Sequence, residues 1–403
     1  MRSHSQTFFA SLFLARLADQ ILLFLVPLVI YQTTRKVSWS GLAFTAETLP
    51  RYLFFPLLGA LCDRISPLKL MRVSQIYRAV ACLGGMAAYA VFGGIGWLVV
   101  LSACCGVLTS QGVVAREVLL PQIFKSQRFE KVLSYSQLAD QMGMVLGPML
   151  AALLLGWWHW QWAVVAAAIL FLAADMALAL WQRTSRIRLN HPEPASGPWI
   201  LPLKTALAHV LHLPGLKQVI VLAAGENLII GVTLATSAAM VTGLHHQSGQ
   251  YYAGLQTAGA IATVIILLAV AHAPWSRKTL GLLSFTAIFA GGLCAGLSPS
   301  SWGYAGGFLL ITGFDKMFNV YIRSARQQII PSQDYGKTTG LVILLNNLTQ
   351  PLAGILVAVF SAPKQTGFVI VGLALCMAVL GLAVAVVLPF FRRRGALEQT
   401  SGI

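Results

Sequence analysis

Six carboxylates stand where a lipid bilayer should exclude them. Asp19, Glu47, Asp140, Asp175, Glu226 and Asp315 each lie inside a long apolar run. An Asp, Lys or Arg at the centre of a membrane helix costs roughly 2.5–3.5 kcal/mol even on conservative scales, so such a residue must face water, a partner or a ligand. The chemistry open to it is proton exchange. Burial favours the neutral carboxyl and a nearby Arg or Lys favours the carboxylate, so a group balanced between them can load and release a proton.

Helical spacing groups these acids with partners. Arg16, Asp19 and Gln20 stand at i, i+3 and i+4 and share one face. Glu47 and Arg51, at i and i+4, account for one another as a local ion pair. Gln137, Asp140, Gln141, Met144 and Pro148 trace a single stripe, and Asp315, Lys316 and Asn319 cluster in a later run, as do Glu226 and Asn227. Asp19 and then Glu226 are the leading candidates for a proton carrier. Asp140 and Asp315 suit a static ion pair equally well, with Arg78 open as a partner of Asp140 or Asp19. Asp175, near the end of its run, reads as snorkelling or paired. The cations Arg16, Arg78 and Lys316, with Tyr31, Tyr304 and Phe318, suit an anionic or catecholate-like amphiphile.

The elements that position these residues are membrane helices. Of 403 residues 57% are hydrophobic and only 10% charged, where a soluble domain carries roughly 25% charge. A water-soluble globule, a disordered tail and a secreted disulfide module are excluded. A spanning helix needs about 20 mostly apolar residues. The sequence predicts twelve, over 8–31, 40–61, 70–91, 96–114, 134–156, 160–181, 217–242, 250–271, 279–297, 302–322, 338–361 and 366–391. The expected organisation is an N-terminal six-helix bundle (1–181), a cytoplasmic linker (182–216) with an interfacial helix near 201–213, and a C-terminal six-helix bundle with a cytoplasmic tail (217–403). The expected fold class is therefore all-α integral membrane, two pseudo-symmetric six-helix bundles.

The net charge of +16 is a topology signal rather than a nucleic-acid footprint. Of the 28 Lys and Arg, Arg16, Arg51, Arg78 and Lys316 fall inside spans, and only Arg35, Lys36 and Lys364 fall on the cation-poor side. The positive-inside rule then places both termini and the central linker in the cytoplasm. An internal repeat supports a duplicated chain: Ala115-Arg116-Glu117-Val118-Leu119-Leu120-Pro121 follows the fourth span, and Ala325-Arg326-Gln327-Gln328-Ile329-Ile330-Pro331 follows the tenth.

Two further motifs concern movement. Between the second and third spans Gly59, Asp63, Arg64, Lys69 and Arg72 form a compact charged loop, in which Asp63 can pair with Arg64, with Arg72 or with the end of another helix. It reads as a loop anchor or as a charge latch that opens and closes. In the fifth span, Gly143 and Gly147 provide a small face for close packing, and Pro148 bends the helix.

The Gly-x-x-x-Asp-Arg loop resembles the signature of the major facilitator superfamily, with Ser66-Pro67 in place of the family's later glycine. Gly143-x-x-x-Gly147-Pro148 is similar to the family's antiporter motif. Phe13-Leu-Ala-Arg16-Leu-Ala-Asp19-Gln20 resembles the first span of the enterobactin-exporter-like branch, and so does the Ala-Arg-x-x-Leu-Leu-Pro passage. The resemblance implies a proton-coupled exporter of a small amphipathic molecule, a siderophore first of all, working by alternating access in the inner membrane. In that family spans one, four, seven and ten line a central cavity. Arg16-x-x-Asp19-Gln20 also resembles ferroportin-like metal exporters, where Asp19 would bind the ion; a ferrisiderophore importer and a lysophospholipid flippase share the general pattern.

The remaining residues point away from other classes. The cysteines Cys62, Cys82, Cys104, Cys105, Cys294 and Cys376 lack metal or redox spacing and read as packing residues. His245-His246 have no acid beside them. There is no P-loop, HExxH or nucleophile–base order, which argues against an enzyme. The expected partners are a small-molecule substrate and the bilayer, with no nucleic acid, no resident metal and no cofactor beyond the proton gradient, and the chain is expected to be a monomer.

Overall fold

The computed structural model describes residues 3–34, 50, 52–94, 96–157, 159–185, 200–349, 352–353, 356 and 367–383. Glu47, Arg51, the cations Arg35, Lys36 and Lys364, residues 186–199 of the linker and the Arg392–Arg394 cluster lie outside them. Among the described residues the chain is helical, as its apolar runs predict. The helices are α1 (Ser3–Thr34), α2 (Phe55–Cys62), α3 (Pro67–Phe92), α4 (Gly96–Ile123), α5 (Phe129–Trp157), α6 (Trp160–Thr184), α7 (Ile200–His212), α8 (Leu216–Ala238), α9 (Gly249–His272), α10 (Arg277–Leu297), α11 (Ser301–Ile329) and α12 (Tyr335–Asn347), with a last described helix α13 (Gly367–Ala383). Seven of them are long and apolar enough to cross a membrane; α3 and α11 are as long, but carry the charges that belong to the site.

Local sequence sets the ends. Pro67 at the start of α3 needs no amide partner there. Gly93, at φ 68°, ends the same helix in a backbone region that side chains avoid. Ser248, Ser276 and Ser300 cap α9, α10 and α11, each accepting an amide hydrogen bond from the first turn. Helix α8 closes in a π-turn over Ala239–Leu244, and π geometry within a helix frequently marks a functional place.

Two compact units result. Unit 1 takes Met1–Leu207 with Pro331–Leu344, and unit 2 takes Ala208–Ile330 with Leu345–Ile403. Helix α12 up to Leu344 thus groups with unit 1. The core of unit 1 joins Ile21, Leu25, Leu98, Val164 and Phe171, and that of unit 2 joins Val232, Tyr304, Phe308, Phe318 and Ile370. Helix α7 carries Ala206 and Val210 buried, with Leu203, Leu207 and Leu211 exposed on a second stripe, the two-sided pattern of a surface helix.

Candidate functional site

In unit 1 the described intramembrane acids Asp19, Asp140 and Asp175 each meet an arginine. Arg78, on α3, donates from Nη1 to both Asp19 oxygens at 2.7 and 2.9 Å. Thr109 of α4 donates to Asp19 Oδ1 at 2.9 Å, and the Arg78 guanidinium lies 4.4 Å from the Phe171 ring centroid, a cation–π contact. Arg78 also bonds the Ser74 carbonyl. Its side chain is only 4% exposed and that of Asp19 12%, so the pair is taken out of water as a unit.

Asp140 of α5 accepts from Arg116 Nη1 at 2.7 Å. Arg116 is buried because α4 runs on past the expected end of the fourth span to Ile123. Its counterpart in the repeat, Arg326, is likewise buried near the end of α11. Asp175 takes both Arg72 donors, at 2.8 and 3.1 Å, the bidentate geometry that suits guanidinium and carboxylate. Arg78 therefore belongs to Asp19, and Asp140 to Arg116.

Arg16 and Gln20 face the small side of α5. A Cβ on Gly143 would stand 2.8 Å from Arg16 Cγ, and one on Gly147 would strike Gln20 Cβ. The two glycines let α1 and α5 close together, and Pro148 follows inside the helix.

The loop motif is also built in unit 1. Asp63 caps α2 and accepts from the Gly336 amide at 3.2 Å and the Lys337 amide at 3.0 Å. Of the three partners the sequence left open, the helix end is the one it takes. Amides at a helix N-terminus are natural anion donors. A Cβ on Gly59 would run into the Gly336 carbonyl, so glycine is needed for the approach. Burial raises the Asp63 carboxyl to about 6, against the lowering effect of these amides and of Lys337. Lys69 is exposed, and Arg72 has turned to Asp175.

Unit 2 is arranged differently. Glu226 of α8 and Asp315 of α11 bring their carboxyl groups close enough to interact. Two carboxyls this close repel when both are charged. Lys316 Nζ reaches Asp315 Oδ2 at 2.6 Å. Glu226 is 2% exposed, and its Oε1 has no hydrogen-bond partner among the described residues. Asn319, one turn from Asp315, is half-buried, and Asn227 donates to the Asn346 carbonyl at 3.4 Å. Tyr304 and Phe318 are buried in this unit.

Sequence reasoning missed Thr109, Phe171 and the pairing role of Arg116. The Ala-Arg repeat marked Arg116 as special; Thr109 and Phe171 carried no signal beyond helical spacing. Among the described residues no group of three or more His, Cys, Asp or Glu side chains could hold a metal ion. The cysteines are free thiols.

The Major Facilitator Superfamily profile matches residues 8–354. No curated protein sequence matches the chain. Among solved structures, a bacterial homologue of the iron transporter ferroportin in its outward-facing state is similar at 16% identity and TM-score 0.77, with 96% of this chain and 100% of that one covered. The human organic anion transporter MFSD10 (TETRAN) gives 16% identity and TM-score 0.76, covering 94% and 100%. The transporter FucP in its outward conformation gives 12% identity and TM-score 0.72, covering 94% and 97%.

Proposed function

The chain belongs to the Major Facilitator Superfamily, and on that premise we propose that it exports a small amphipathic anion in exchange for protons, by alternating access. It is a multi-pass membrane transporter, not an enzyme, in a family whose fold is a twelve-helix, two-domain bundle. The observation that carries the coupling is the Glu226–Asp315 pair beside Lys316. Two acids and one cation hold one exchangeable proton between them, and an anion drawn to Lys316 would change the balance that keeps it. Asp19, bound on both oxygens, serves as a fixed post that orients Arg78.

The favoured substrate is a siderophore of the iron-free catecholate kind, in keeping with the first-span resemblance to the enterobactin-exporter-like branch and with Arg16 and Lys316 as anion contacts. The organic anions named for one structural neighbour are of the same charge class. Cytoplasmic termini follow from the cation distribution, and export follows the first-span resemblance. A metal-ion exporter built on Asp19 is disfavoured, since Arg78 and Thr109 already occupy that carboxylate.

The test is reconstitution in proteoliposomes with a trapped pH dye, using an iron-free tris-catecholate as probe. Addition of the probe should drive proton movement in the wild type. Glu226→Gln should still bind the probe and move no protons. Probe transport without proton movement in the wild type would overturn the coupling; cobalt flux in its place, lost in Asp19→Asn, would establish the metal reading.

A further inference from the structure

We propose that the interior of unit 2 holds a file of ordered water from His245 to the Glu226–Asp315 pair, and that protons reach the pair along it, apart from the substrate. The inference rests on the proton-coupled reading of that pair. Among the buried polar atoms of unit 2 without a hydrogen-bond partner among the described residues are His245 Nε2, Tyr304 Oη, Thr233 Oγ1 and Glu226 Oε1. Tyr304 and Thr233 are 0% exposed. Buried polar groups are nearly always satisfied, and where protein atoms do not serve, ordered water does.

Their placement is linear. On α8, Glu226, Thr233 and Ser237 stand seven and eleven residues apart, close to whole turns, and so share one face. On α11 Tyr304 and Asp315 stand eleven apart and share another. Both stripes end on the same carboxyl pair. At the other end the His245 ring lies 5.4 Å from that of Tyr304. The backbone at His246 has φ 51°, the positive-φ non-glycine position among the described residues. Strain of this kind persists where the surroundings over-determine it, and here it follows directly on the π-turn and on His245. His246 itself is exposed and lies outside the file.

Between the two ends the third helix supplies rungs. Tyr252 of α9 lies 3.3 Å from Ser237 Oγ, and Gln256 Nε2 donates to Tyr252 Oη at 2.9 Å and to Ser237 Oγ at 3.3 Å. One turn on, Gly259 packs against the Thr312 side chain, whose hydroxyl donates to the Phe308 carbonyl at 2.8 Å; a Cβ on Gly259 would stand 3.0 Å from Thr312 Oγ1. Thr263 then bonds the Thr312 carbonyl, and Thr312 is three residues from Asp315. Hydroxyls and amides both donate and accept, so each rung can pass a proton through neighbouring water without ionising. The transfer is balanced: a proton enters at His245 from the medium, one shifts along each bond, and one arrives on the carboxylate of the pair.

The experiment uses the full-length protein in sealed proteoliposomes and needs no substrate. Infrared difference spectra follow the protonated carboxyl C=O band during a jump from H2O to D2O. Glu226→Gln and Asp315→Asn should each remove or shift that band, which assigns it to the pair. In the wild type the band should exchange promptly, and Tyr304→Phe and His245→Gln should each slow exchange at least tenfold. Tyr304→Phe deletes a hydroxyl with no hydrogen-bond partner among the described residues, so the packing of the ring is kept; Thr233→Val is a second variant of the same kind. Unchanged exchange in Tyr304→Phe and His245→Gln, with the band present and assigned, overturns the file and leaves the coupling reading standing. A wild type with no band assignable to the pair overturns the coupling reading itself, and the file with it.

Discussion

Units 1 and 2 solve the same problem, acids inside a membrane helix bundle, in opposite ways. In unit 1 Asp19, Asp140 and Asp175 have dedicated arginines, Arg78, Arg116 and Arg72. Arginine stays protonated at any physiological pH, so each pair is a fixed charge couple. In unit 2 Glu226 and Asp315 lie together beside Lys316, which contacts Asp315, so two acids meet around one lysine. The difference separates scaffold from switch: matched pairs hold helices in register, and an unmatched pair responds to its surroundings.

The sharpest way to break that contrast is to remove one half of a matched pair. Arg78→Ala leaves Asp19 buried with Thr109 alone, and stripping a partner from a buried pair is worth about 3–5 kcal/mol. Thermal unfolding in detergent should show a protein that is barely folded, with partial recovery in the Arg78→Met, Asp19→Leu double variant, where no charge is left unpaired. Glu226→Gln, by contrast, should unfold near the wild-type temperature, since the amide keeps the shape. Equal damage from the two substitutions would erase the distinction between the units.

A second contrast concerns packing. Gly147→Ala places a methyl against Gln20 Cβ, close to the helix backbone where no flexible side-chain end can yield, so α1 and α5 must part. Overpacking of this kind is worth roughly 1–3 kcal/mol. Gly306→Ala on α11 meets nothing within 4 Å and should be neutral or gain up to about 1 kcal/mol of helix propensity. The two can be ranked by the same unfolding measurement, and a neutral Gly147→Ala would remove the tight α1–α5 approach from the account.

Much of this was legible in the sequence, for definite reasons. The spans follow from apolar length, and the acids stand out because the bilayer makes them expensive. The cost says that a partner exists but not which: Arg78 suited Asp19 or Asp140 equally, because spacing along one helix carries no information about contacts between helices. Arg116 was read as a residue beyond the end of its span, because hydropathy falls where charge begins, while α4 continues to Ile123. The Glu226–Asp315 contact joins residues 89 positions apart on α8 and α11; each acid was marked, and their meeting required the packed helices. Asp63 was similarly marked by its motif, and its choice of the α12 amides over Arg64 or Arg72 is a matter of tertiary approach at Gly59.

The smallest expected effect belongs to Asp63, an acid with a helix end for a partner instead of an arginine. Burial lifts its carboxyl to about 6 from the ordinary 3.8. As pH falls through 6 the folded protein takes up a proton that the unfolded chain does not accept until near 3.8. Within that window acidification therefore favours the folded state, and this contribution fades as pH rises and is gone above about 6. The carboxylate above 6 carries the full charge that the α12 amides attract, so the contact is at its most polar at neutral pH and weakens on the acid side. Asp63→Asn is neutral throughout and can accept on one atom only. The unfolding temperature of the wild type minus that of Asp63→Asn should change between pH 4 and 6 and be flat from 6 to 8. A flat difference over the whole range would mean that Asp63 keeps an ordinary carboxyl, and that the α12 amides compensate its burial as fully as an arginine would.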